Sequence, residues 1–150
     1  MFSITMKERL VVHLRKQTNE WMVDMYLNNF DGEIIINSEE ELMISLEKRP
    51  AFNANNFILT FEKTGFPQLV FFVRDDKCVA YFLEGENSSS FTSKSNSNAG
   101  PENLVFYENV NGAEIELFSG SIISIQVMLD AAKQFFSTQI KPSCISWMEI

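Results

Sequence analysis

From Asn56 to Leu83 the apolar positions either alternate or run unbroken, which is strand spacing rather than helix spacing. Asn56–Lys63 sets Phe57, Leu59 and Phe61 against Ile58 and Thr60. Thr64-Gly65-Phe66-Pro67 punctuates the run as a turn. Gln68–Arg74 is almost wholly apolar, the pattern of a central strand covered on both faces. Asp75-Asp76-Lys77 reads as a tight hairpin loop into Cys78–Leu83, and links this short predict an antiparallel meander. Upstream, Gly32–Asn37 carries Ile34-Ile35-Ile36 and reads as a strand, because β-branched side chains suit a pleated surface. Ser38-Glu39-Glu40-Glu41 has the form of a capping box, with the Ser hydroxyl accepting from the Glu41 amide and the Glu41 carboxylate reaching back. The three acids also complement the helix dipole. Arg49-Pro50 ends this helix, since Pro disfavours the α region at the residue before it.

The pattern then breaks. Gly85–Pro101 holds six Ser and three Asn, with Phe91 as its one large apolar residue. A stretch so polar cannot bury enough surface to form core and is expected as a long loop. Strands follow at Asn103–Glu108 and Ala113–Phe118, joined by a turn containing Asn111-Gly112, a strong hairpin signal. A closing helix spans about Ser124–Thr138, with Ile125, Met128, Leu129, Ala132, Phe135 and Phe136 on one stripe. Lys141-Pro142 breaks it, and Ser143–Ile150 closes the chain as a strand carrying Trp147. The order β-α-β-β-β-β-β-α-β predicts an α+β single domain over residues 25–150. Its sheet is mainly antiparallel, of about six to seven strands, with two helices packed on one face. Residues 1–24 stand apart as an N-terminal extension. Met6, Leu10, Leu14, Trp21 and Met25 approximate a helical face, Leu10–Leu14 also reads as a strand, and Met25 offers a second possible start.

At 150 residues the chain is long enough for one independently folding core. Hydrophobic residues at 45% against 21% charged exclude wholesale disorder. Fourteen Phe point to an aromatic core or an aromatic partner surface. The net charge of −8 argues against direct binding to nucleic acid and favours a basic partner, though it also serves solubility alone. Residues 1–24 hold four cations against three anions, so the rest of the chain carries −9. Cys78 and Cys144 both lie in apolar runs without a CxxC or Cys/His cluster. They are expected free and buried in a reducing cytosol, with no zinc site. No stretch approaches the ~18 apolar residues of a membrane span, and Leu10–Val12 is too short for a secretory core. The expected location is the cytoplasm.

Little here signals catalysis. His13, the single histidine, would have to serve any Ser-His or Cys-His system. Ser119-Gly120-Ser121 lacks the flanking glycines of a nucleophile elbow, and no phosphate-cradling glycine motif occurs. Asp75/Asp76, Glu84/Glu86 and Glu114/Glu116 are the carboxylate pairs, each explained as a turn or a solvated strand face. No enzyme activity and no cofactor is expected. What remains is a binding surface, best placed on the polar loop Gly85–Pro101 flanked by Glu84, Glu86 and Glu102, because loops on a rigid sheet commonly carry recognition.

A set of short motifs in fixed order sharpens this. Phe30-Asp31-Gly32-Glu33-Ile34 is followed by Arg49-Pro50-Ala51-Phe52, Asn55-Asn56-Phe57 and Gly65-Phe66-Pro67-Gln68-Leu69. Phe106-Tyr107-Glu108-Asn109 follows, and then Ala131-Ala132, Phe135-Phe136, Pro142 and Trp147-Met148-Glu149. From about Asp31 to Ile150 the chain resembles the first family of immunity proteins of bacterial polymorphic toxin systems, particularly members paired with double-stranded-DNA cytosine deaminase toxins. It departs at the end, where only Glu149 follows Met148 in place of further acids. The resemblance implies a cytoplasmic antitoxin that forms a 1:1 complex with a basic, nucleic-acid-acting toxin domain and blocks its active site or DNA cleft. It implies no direct nucleic-acid or membrane binding. The contacts expected on charge and loop composition, rather than taken over from the family, are Asp75, Asp76, Glu84, Glu86, Asn87, Phe91 and Lys94. Phe91 serves there as an aromatic anchor among adaptable polar residues. Two other readings stay open: a regulatory or scaffold domain with another protein partner, and an enzyme using carboxylates. A toxin gene directly upstream separates them from immunity.

Overall fold

A computed structural model describes residues 24–62, 65–96 and 102–150. The extension expected over residues 1–24 lies outside the described residues, apart from Asp24. The elements run β1 (Met25–Asn29), β2 (Gly32–Ile36), α1 (Glu39–Leu46), β3 (Ala54–Thr60), β4 (Gln68–Arg74), β5 (Lys77–Leu83), β6 (Ser90–Ser93), β7 (Asn103–Tyr107) and β8 (Glu114–Phe118). A short 3-10 turn then leads to β9 (Ile122–Ser124), α2 (Ile125–Thr138) and β10 (Trp147–Glu149). The main sheet is ordered β10-β6-β5-β4-β3-β1-β2, with β9 also on β5, and every pairing is antiparallel.

Strand alternation explains the layering. Leu69, Phe71 and Val73 of β4 point one way, with Phe57 and Leu59 of β3 and Cys78, Ala80 and Phe82 of β5. They meet Leu42 and Leu46 of α1 and Met128, Ala131, Ala132 and Phe135 of α2 in one core. Val70, Phe72 and Val79 point the other way and meet Phe106 and Leu117. The α+β class, the antiparallel sheet, the two helices on one face and the doubly covered β4 are therefore as the pattern predicts. The strand count is higher: eight in the main sheet, with β7 and β8 forming a two-stranded sheet of their own on the opposite face.

The first helix carries the predicted N-cap, and the second is capped as well. The Ser38 hydroxyl accepts from the Glu41 amide at 3.1 Å, while the Glu41 carboxylate accepts from the Asn37 amide, one residue earlier than the simple box. Arg49 closes α1 by donating to the Leu46 carbonyl at 2.7 Å. Ser124 caps α2, and Gln139, left-handed at φ 62, ends it with its amide on the Phe135 carbonyl. Asn55, fully buried, ties β3 to two other segments. Its Oδ1 accepts from the Phe30 and Asn56 amides, and its Nδ2 donates to the Lys48 carbonyl, all at 2.9 Å.

Four expectations are corrected. Met25 opens a strand rather than closing a helical face: Met25 and Leu27 are fully buried, and β1 lies between β3 and β2. Gly85–Pro101 is not a loop throughout, because β6 sits within it. β6 is held where β5 changes partner: the Ser93 hydroxyl accepts from the Ala80 amide at 2.9 Å and donates to the Ser121 carbonyl at 2.6 Å. Those bonds let so polar a strand be buried, since a buried polar group is tolerated once it is satisfied. Cys144 is exposed in a turn, not buried in a strand; both cysteines are free, as expected, and only Cys78 is buried. The last strand is shorter than Ser143–Ile150. The Gln134 carboxamide holds the turn at Ser143 and Cys144, and the Trp147 indole donates to the Pro142 carbonyl at 2.8 Å.

Candidate functional site

The residues expected to contact a partner fall into separate groups. Asp75 and Asp76 form the β4–β5 turn, where Arg74 pairs with Lys77. Glu84, Glu86 and Asn87 lie exposed in the β5–β6 turn, held by the Glu84 amide on the Ser89 carbonyl. Seven-residue strands separate the two turns, a distance of roughly 20 Å at about 3.3 Å per residue. Helices cover one face between them and the β7–β8 hairpin covers the other, so these are two acidic rims. Lys94 is exposed beyond β6, its amide on the Ser146 carbonyl. Phe91 is half-buried. It sits opposite Phe82 in the ladder, packs against the helix-side core, and carries the Lys141 ammonium 3.5 Å from its ring centroid.

The Asp75 rim holds more than its carboxylates. Ala51–Ala54 is a tight turn, closed by the Ala54 amide on the Ala51 carbonyl. Both central residues are left-handed, Phe52 at φ 59 and Asn53 at φ 53. The Asp75 amide donates to the Asn53 carbonyl, and the Asn53 carboxamide donates to Asp75 Oδ1, both at 3.0 Å. The two turns are thereby joined. The Phe52 ring stacks on Tyr107 with centroids 4.5 Å apart, yet keeps 48% of its surface in solvent. Tyr107 also lies beneath Arg74, whose guanidinium carbon is 5.4 Å from the ring centroid. Arg74 is held by the Val105 carbonyl at 2.8 Å and by Asp75 at 3.9 Å. Neither Phe52 nor Tyr107 stands among the contacts expected from sequence. The available signal was a Phe-Asn pair in a tight turn where Asn-Gly chemistry is usual.

The local electrostatics support recognition more than reaction. The Lys77 ammonium, 3.1 Å away, holds the Asp76 carboxyl below its usual range. A groove of about 300 Å³ lies between β9 and the final segment, lined in part by Lys94, Ile123, Val127 and Cys144. Partial burial, and then Asp130, push the Cys144 thiol up. Among the described residues no three His, Cys, Asp or Glu side chains gather as a metal ion requires. Among them, too, no helix is long and apolar enough to cross a membrane.

No protein-family model matches the chain. It is 46% identical over 127 residues to the double-stranded DNA deaminase immunity protein of Burkholderia cenocepacia (strain H111), a match spanning 84% of this chain and the whole of that relative. At that identity and extent, the chain belongs to the family of double-stranded DNA deaminase immunity proteins.

Proposed function

We propose that this chain is an immunity protein that binds a double-stranded DNA deaminase toxin domain in the cytoplasm, one to one and without catalysis. It would block the toxin's active site or its DNA cleft. The full-length match to a relative of that name carries the reading. The charge supports it. A toxin that grips DNA needs a basic surface, and a partner of net charge −8 offers carboxylates where phosphates would lie. The proposed contacts are Asp75 and Asp76 on one rim and Glu84, Glu86 and Asn87 on the other, with Phe91 next to the latter and Lys94 at the far end of β6.

Co-expression with a cognate double-stranded DNA deaminase domain tests the function. Cells should survive, their DNA should stay free of cytosine deamination, and a 1:1 complex should persist through gel filtration. Cell death at equal expression, with no complex, removes the immunity reading. The rims are told apart by charge reversal: Glu84→Lys with Glu86→Lys against Asp75→Lys with Asp76→Lys. The rim that meets the toxin is the one whose reversal weakens binding.

A further inference from the structure

We propose that the Phe52 ring, seated on Tyr107 and framed by Asp75 and Asp76, is the anchor on which the toxin lays a cationic side chain of its DNA-binding surface. This rests on the immunity reading above and names the point of contact within it.

The backbone makes the first part of the case. Among the described residues four non-glycine positions have left-handed φ, and three of them, Phe52, Asn53 and Asp75, meet at this one rim. Asn and Asp tolerate that region because their short polar side chains bond locally, as both do here. A bulky aromatic does not, and costs about 1–2 kcal/mol more there than glycine. Such strain persists where surroundings enforce it, and it gathers at ligand clamps. Tyr107 and Gly112 enforce it. Gly112, itself at φ 87, leaves room for the ring, and a Cβ there would lie 3.2 Å from Phe52 Cζ. Stacking on Tyr107 buries one half of the ring and leaves the other half facing solvent, open to a partner.

Chemistry identifies the occupant. An aromatic face attracts a guanidinium or ammonium through its quadrupole. The pair already shows this preference internally, with Arg74 against Tyr107. Phe52 presents a further ring surface to solvent. The Asp75 and Asp76 side chains of the adjoining turn are 58% and 86% exposed and pair with Arg74 and Lys77, and Glu108 and Glu114 lie at the adjacent hairpin end. An exposed aromatic face with carboxylates on the turns beside it fits Arg or Lys better than phosphate. It also has the form of an interface hot spot, a rigid aromatic that loses its remaining water on binding.

The test uses the full chain and an active-site-inactivated cognate deaminase domain. Phe52→Asn replaces the ring with a residue that accepts the left-handed turn, so the thermal midpoint should hold or rise. Toxin affinity should fall about tenfold or more, as for a hot-spot truncation. Phe52→Leu, which retains apolar area but no π face, should lose affinity as well. If Phe52→Asn and Phe52→Leu bind as tightly as the wild-type chain, the anchor is elsewhere and this inference fails, while wild-type binding keeps the immunity reading intact. If Phe52→Leu alone retains full affinity, the contact is apolar burial, and the cationic occupant is overturned. A wild-type chain that does not bind the toxin removes the function itself.

Discussion

At the scale of single residues, burial decides which groups can take part in chemistry. Cys78 is fully enclosed beneath the helices, and desolvation pushes its thiol far above the ordinary range, Arg49 offsetting only part of the effect. The sign follows from linkage. The folded chain holds the proton while the unfolded chain loses it near pH 9, so stability is complete below that pH and declines as pH rises above it. Replacing Cys78 by Ala should flatten this alkaline decline relative to wild type in thermal midpoints measured from pH 7 to 10.5. Cys144 offers the contrast: it is exposed, and a thiol reagent at pH 8 should label one cysteine in the native protein and both in denaturant. Two fast labels in the native state would contradict the burial of Cys78. Sequence placed both cysteines in apolar runs, but an apolar run does not reveal which of its residues a turn exposes. Asn55 shows the converse, a polar residue among apolar ones that is buried because three backbone groups satisfy it.

At the scale of elements, α2 was legible because a helix writes its buried face as a periodic stripe and marks its own ends. The stripe converges on Phe135, which packs against Phe61 and Phe82 with centroids 5.3 and 6.0 Å away. Phe135→Ala should destabilise the domain by about 3–5 kcal/mol, the range for deleting a buried aromatic, read as a fall in urea midpoint at unchanged slope. A loss below about 1 kcal/mol would mean the helix packs more loosely than described. β6 was not legible. Its Ser-Phe-Thr-Ser sequence looks like loop, and it becomes a strand only because β5 and β10 supply ladder partners and Ser121 receives the Ser93 hydroxyl. β7 and β8 were legible as a hairpin but not as a separate layer. An alternating pattern records that a strand has a buried face; the surface that buries it belongs to another part of the chain.

At the scale of the whole molecule, the charge sets the kinetics of encounter. A net charge of −8 should steer a basic toxin domain, so the association rate should drop steeply from about 0.05 to 0.5 M salt as the Debye length shrinks from ~14 to ~4 Å. Dissociation should respond much less. Stopped-flow association across that range checks it, and a rate indifferent to salt would show that the acidic surface does not guide the encounter. The seven contacts expected from sequence formed a single list; the fold sets Asp75 and Asp76 at one end of the central hairpin and Glu84, Glu86 and Asn87 at the other, with Phe91 in β6 and Lys94 beyond it.

The chain by itself determined what depends on near neighbours: the class, the antiparallel meander, the N-cap of α1, the core stripe of α2, the doubly covered β4 and the family. These are written in periods of two and 3.6 and in capping residues, which act over a few positions. Tertiary structure alone decided what depends on distant ones. Phe52, Asp75 and Tyr107 are far apart in sequence, and only the pairing of β3 with β4 and the docking of the β7–β8 hairpin bring them to one rim. Periodicity says that a side chain has a partner; which distant residue fills that place is chosen by the packing of the whole.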